Sequence, residues 1–274
     1  MIQLLFTLAA FLQQDTVPQP LQAEAESGRR VMSIDLCADQ FVLAMVDRSD
    51  IVSVSRDATK DVSLMRERAE GLRVSRPELE SILLSEPTIV VRSYGGDASM
   101  LRRLSDFDIE VVQVPYAQNM EAVTEAIQTV GYALGEKITA AELSNKVQLL
   151  TTGERSEAER QRAIYLTPSG VTTGPGSLIH EVIEAGGYSN FITTPGWRDV
   201  DLEQLTTEKP DLVIRGFFDT DQSFKGGWSI GRHPQLTKLI ADIPYVDIPG
   251  ATLSCSTWAL ADAVHAIRDA SRRE

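Results

Sequence analysis

Basic residues, histidine, cysteine and long apolar runs are all scarce in this 274-residue chain. Lys and Arg number 26 against 39 Asp and Glu, giving a formal net charge of −13. Nucleic-acid binding needs clustered bases, so that balance excludes a nucleic-acid partner. There are 3 histidines and 2 cysteines, with no HExxH, no CxxC and no Cys/His cluster at zinc spacing, which excludes the ordinary zinc sites. TTGPGSLIH (172–180) lacks the third glycine of GxGxxG and the lysine of a Walker loop, so it reads as a turn into a helix and no cofactor is expected. The N-terminal apolar run, Ile2 to Leu12, falls short of the roughly 20 residues that span a bilayer. It has signal-peptide length, and Ala23-Glu24-Ala25 supplies a small-x-small site, so residues 1–25 are expected to be a secretory signal although no base precedes the run. A frayed apolar tail is the alternative. Cys37 and Cys255 leave two readings open: a disulfide, which needs Cα atoms within about 7 Å, or two buried thiols.

What the sequence does contain is alternation. Apolar residues make up 43% of the chain and charged residues 24%, globular values. Strands are expected at 29–36, 50–55, 88–93 and 109–115, with helices at 38–46, 77–85 and around 101–107. Such alternation signals a mostly parallel sheet covered by helices. Residues from Met120 to about Ala163 contain no proline and are rich in good helix formers. That region reads as one long helical connector, with Gly131 and Gly135 as places where it could break. Beyond it, strands are expected at 162–166, 211–216 and 245–249, and helices at 177–187, 202–209, 233–242 and 256–273. One phrase occurs twice: LESILLSEPTIVVR (79–92) and LEQLTTEKPDLVIR (202–215) share Leu, Glu, Pro, Val and Arg in register. The fold expected is therefore α/β, two similar lobes with mostly parallel sheets joined by one long helix, and a ligand cleft between them. The lobes are placed at 29–118 and 162–274, with 119–161 as the bridge.

In open α/β sheets ligands collect beyond the carboxyl ends of the strands. Those ends carry Asp35, Cys37, Arg92, Tyr94 and Tyr116 in the first lobe, and Ser169, Arg215, Phe217 and Trp258 in the second. Aromatics, hydroxyls and two arginines suit a bulky, partly apolar, partly anionic small molecule. Arg92 and Arg215 are equivalents in the repeat, so they either clamp an anion from two sides or close salt bridges at their own strand ends. Glu80 and Glu203 are equivalents too, each early in a helix. Either they complement the helix dipole, or they form a two-point docking surface for a partner's basic residues. Gly227-Trp228-Ser229-Ile230-Gly231 matches G-x-S-x-G, and Asp247 and His265 follow in hydrolase order, so a serine hydrolase is the competing reading. The polar approach DTDQSFKG is not the strand that a nucleophile elbow requires.

RRVMSIDLCADQFVLAMVDRSDIVSVS, LESILLSEPTIVVRS, TTGPGSLIHEVIEAGGYSNF and LEQLTTEKPDLVIRG occur in that order from Arg29 onward. In these phrases the chain resembles the helical-backbone class of periplasmic substrate-binding proteins, the soluble receptors of ABC importers for iron-siderophores, cobalamin and haem. The resemblance implies two α/β lobes bridged by one long helix, little hinge motion and a shallow cleft. It further implies a periplasmic, non-enzymatic monomer that captures an iron-siderophore-like chelate, with cobalamin or haem as alternatives, and delivers it to an inner-membrane ABC permease. On this resemblance Glu80 and Glu203 would be the acids that meet permease arginines. SEPTIVV replaces the usual Lys-Pro-Asp-Leu-Val in the first lobe.

Overall fold

The structure, a computed structural model, describes residues 28–150, 161–220 and 230–270. The expected leader and Ser229 lie outside the described residues. In the first lobe the chain runs β1 (Val31–Ser33), α1 (Leu36–Met45), β2 (Ile51–Ser55), α2 (Arg66–Ala69), β3 (Val74–Ser75), α3 (Leu79–Leu83), β4 (Ile89–Arg92), α4 (Ala98–Leu104) and β5 (Glu110–Gln113). Helices α5 (Met120–Ala133) and α6 (Lys137–Gln148) lead to the second lobe. There follow β6 (Arg162–Leu166), β7 (Val171–Thr173), α7 (Leu178–Ala185), β8 (Ser189–Asn190), β9 (Trp197–Asp199), α8 (Leu202–Thr207) and β10 (Leu212–Gly216). The described chain ends with α9 (Pro234–Ile240), β11 (Tyr245–Ile248), α10 (Gly250–Leu253) and α11 (Leu260–Ala270).

Two parallel sheets result, ordered β3-β2-β1-β4-β5 and β11-β10-β6-β8. Their central strands are unbroken apolar runs because helices cover both faces, leaving no solvent side to require alternation. Met32, Ile82, Val90 and Leu104 fill the outer layer of the first sheet, and Ile164, Leu205, Val213 and Leu236 that of the second. Between the sheets lies one continuous core. It joins Val31, Phe41 and Val91 of the first lobe to Val123 and Ile127 on α5, Ile183 on α7, and Trp258, Val264 and Ile267 at the chain's end. Because both lobes share it, separating them would expose apolar surface at about 25 cal/mol per Å².

The single long connecting helix is corrected. The region folds as α5 and α6, packed against each other and separated by a turn in which Gly135 takes φ of +75°. Glu136 N–H donates to the Gly131 carbonyl (2.7 Å), ending α5 within its last turn. Gly131 lies directly against Ala140, and a Cβ there would overlap the Ala140 Cβ. The Arg29 guanidinium bridges Asp50 (3.0 Å) and Glu136 (2.8 Å) and also donates to the Leu134 carbonyl. It thereby fixes the turn beside the first sheet.

Candidate ligand cleft

Strand order puts a switch point in each sheet. In the first, β1 has β2 on one side and β4 on the other; in the second, β6 has β8 and β10. A crevice opens where chain connections diverge in this way, outside the carboxyl ends. In the first sheet that crevice is walled by the turn after β1 and the loop after β4. Asp35, 3% exposed, caps α1 through Ala38 N–H (2.9 Å). Its second oxygen accepts the N–H groups of Ser93 (2.7 Å), Tyr94 (3.1 Å) and Gly95 (2.8 Å). Tyr94 stands 61% exposed at the crest of that loop. Partial burial, then the nearby Asp35, push its hydroxyl pKa up. Tyr116, beyond β5, is 83% exposed.

In the second sheet Tyr165, next to last in β6, is fully buried, and burial pushes its hydroxyl pKa up. Trp197 stacks edge-on against it at 6.1 Å yet keeps 58% of its surface exposed. Gly216 closes β10 so tightly that a Cβ would sit 2.5 Å from the Tyr165 hydroxyl and 2.8 Å from Leu253. Phe217 adopts φ of +63°, a left-handed conformation that costs a bulky residue about 1–2 kcal/mol and that concentrates at functional sites. A concavity of about 360 Å³ lies beside it, lined by Arg215, Phe218, Asp219, Asp247, Ile248 and Pro249.

The two walls are fastened together. Cys37, in the first turn of α1, is disulfide-bonded to Cys255, with Cα atoms 5.4 Å apart. Ser256 Oγ donates to the Ala117 carbonyl (3.3 Å), and Trp258 meets Phe41 edge-on at 5.7 Å. Gly216, packed between Tyr165 and Leu253, is thus tied through the chain at Leu253–Cys255 and the disulfide to Cys37, two residues from the Asp35 that holds Tyr94.

Several candidate residues have side chains that are already engaged. Asp35 spends both oxygens on backbone N–H groups, Cys37 is consumed by the disulfide, and Trp258 is a buried core ring at 7% exposure. Arg215 forms a bidentate pair with Asp247 (2.7 and 2.6 Å) over the ring of Tyr245. The hydrogen-bonded Asp247 raises its pKa, and the fork is already engaged. Arg92 donates to the Gly95 carbonyl (2.8 Å) and Gln113 (2.7 Å), so neither arginine offers the free fork that an anion clamp needs. Ser169 pairs with the Thr167 hydroxyl (2.9 Å) at the end of β6. Glu80 and Glu203 lie exposed in the first turns of α3 and α8. Each helix precedes a parallel strand, so its N-terminus lies toward the carboxyl edge and hence the cleft. Asp247 faces Arg215 rather than His265, which is exposed on α11, so the hydrolase reading finds no support. Trp197 was missed because β7 and β9 pair as three-residue strands, too short for any period to show.

A profile of the periplasmic binding protein family matches residues 38–224. The chain belongs to that family. Solved structures of similar fold include periplasmic haem-binding protein HutB of Vibrio cholerae: 17% identity, TM-score 0.69, covering 89% of this chain and 98% of that one. Another is described as a possible iron-binding periplasmic solute-binding protein from Staphylococcus epidermidis: 16% identity, TM-score 0.64, covering 89% and 98%. A third is the periplasmic vitamin B12 binding protein BtuF of Vibrio cholerae: 18% identity, TM-score 0.59, covering 89% and 97%. At these identities the likeness concerns the fold. No curated protein sequence matches the chain. Membership carries binding rather than catalysis as the family's work, and among the described residues no helix is long and apolar enough to cross a membrane.

Proposed function

We propose that this chain is a periplasmic receptor that captures an iron-siderophore-like chelate between its lobes and hands it to an inner-membrane ABC permease. In this reading the lobes are 29–118 and 162–274, with 119–161 between them. The observation that carries it is the set of exposed rings: Tyr94 and Tyr116 beyond the carboxyl ends of β4 and β5, and Trp197 at the start of β9 against Tyr165 near the carboxyl end of β6, on walls that Cys37–Cys255 joins. Aromatic faces bury large apolar area at low entropic cost, which suits a bulky chelate with few charges. Engaged arginines favour a cargo recognised by shape and stacking over a highly charged anion. Similar folds are described as binding haem, vitamin B12 and iron, so metal-centred cargo agrees with the wider group.

Glu80 and Glu203 supply the docking pair in this proposal. Titrating the purified protein with ferric hydroxamate and catecholate chelates, cobalamin and haem while following tryptophan fluorescence tests the cargo. Saturable quenching by a ferric chelate supports the proposal. Saturation by cobalamin or haem alone would move the cargo to that class, and no response to any would remove the binding role.

A further inference from the structure

We infer that Asp35 is a positioning residue for ligand capture: from the N-cap of α1 it holds the Ser93–Gly95 loop, and so Tyr94, at a fixed distance from the second lobe. The inference rests on the proposed binding role for what Tyr94 touches, while the positioning itself is measurable without ligand. Capping α1 requires one acceptor, and Oδ1 provides it to Ala38 N–H at 2.9 Å. Oδ2 has no part in that cap. It gathers three successive N–H groups, from Ser93, Tyr94 and Gly95, across 58 to 60 residues of sequence.

The loop is shaped to reach it. A Cβ at Gly95 would sit 2.8 Å from the Ile34 carbonyl oxygen and 3.0 Å from Oδ2, so only glycine lets the chain come this close. Gly96 turns the backbone away at φ of +76°, and Arg92 Nε closes the loop's other side on the Gly95 carbonyl at 2.8 Å. Two residues beyond Asp35, Cys37 is bonded to Cys255 of the second lobe, and Ser256 reaches back to the Ala117 carbonyl. The turn that grips the loop is thus covalently fixed to the opposite wall. With Asp35 in place, the separation between Tyr94 and the second lobe is set before ligand arrives, which lowers the ordering cost of binding.

Two variants of the full chain test this. Asp35→Ser keeps a good N-cap for α1 but is too short to hold the loop, and Asp35→Asn offers one acceptor where two are used. In ligand-free protein, amide hydrogen exchange at Ser93, Tyr94 and Gly95 is expected to speed up at least tenfold in both, with α1 amides unchanged in Asp35→Ser. The Kd for ferrioxamine B is expected to rise at least tenfold in both. In a Tyr94→Ala background, Asp35→Ser is expected to raise that Kd by less than threefold, because the residue acts through Tyr94. Unchanged exchange at the three amides, or an equal Kd factor in both backgrounds, overturns the inference. If ferrioxamine B binds none of the proteins, the cargo assignment fails and the exchange result alone decides the positioning role.

Discussion

Asp39 offers the sharpest quantitative test of the packing. Its carboxylate is fully buried on α1, where Oδ1 accepts from Ser33 Oγ (2.5 Å) and Ser55 N–H (2.9 Å) and Oδ2 from Ser55 Oγ (2.5 Å). The side chain therefore ties α1 to β1 and β2 at once. Burial outweighs these hydrogen bonds, Asp35 adds like charge, and the pKa is raised from 3.8 to about 6. At 1.36 kcal/mol per unit, the folded state carries a cost of about 3 kcal/mol once the group is ionised. The sign follows from proton counting. Between pH 4 and 6 the folded protein holds the proton more tightly than the unfolded chain, so this contribution to stability falls as pH rises and is fully lost by pH 7. Asp39→Asn keeps the Oδ1 acceptor for Ser33 Oγ and Ser55 N–H and removes the charge, losing only the acceptor for the Ser55 hydroxyl. Urea unfolding at pH 4.5, 5.5, 6.5 and 7.5 should show Asp39→Asn more stable than the parent at pH 7.5, by up to about 3 kcal/mol, with the excess shrinking toward pH 4.5. Asp39→Ala should lose stability at every pH, because it strands buried donors at about 1–3 kcal/mol each. An Asp39→Asn variant less stable than the parent at pH 7.5, with the pH slope retained, would refute the reasoning.

Three further outcomes follow from named contacts. Replacing both Cys37 and Cys255 by Ser should cost about 2–5 kcal/mol, read as a lowered melting temperature, because the bond closes a loop across 218 residues. Gly131→Val should cost about 1–3 kcal/mol in thermal unfolding, since α5 cannot otherwise approach Ala140; an unchanged melt would contradict the packing of α5 on α6. Glu80→Lys with Glu203→Lys should abolish uptake in cells while leaving ligand affinity of the purified receptor intact, and normal uptake would remove the docking assignment.

The repeated phrase was the most legible part of the fold. Both copies form a short helix followed by a buried strand, α3–β4 and α8–β10, because Leu-Glu-led helix starts and Val/Ile runs are local signals. The six strands of four or five residues, and β1 with them, fall within their expected spans for the same reason. Features that depend on distant partners were not legible. The register that sets Arg215 opposite Asp247 is a product of β10–β11 pairing, and the Cys37–Cys255 bond joins residues 218 apart. The long connector was misjudged because composition reports helix propensity but not direction. One glycine at positive φ, Gly135, reversed the chain. Asp35 looked like a ligand contact because its position at a strand end is right; what the sequence could not show was the loop at Ser93 arriving to occupy it.

A crystal structure of the receptor with a bound ferric trihydroxamate tests the central claim most directly. The account predicts the chelate against Tyr94 and Tyr116 on one side and Trp197 on the other, with the Cys37–Cys255 bond intact and the lobes little moved. A chelate seated elsewhere, or contacting one lobe alone, would contradict it.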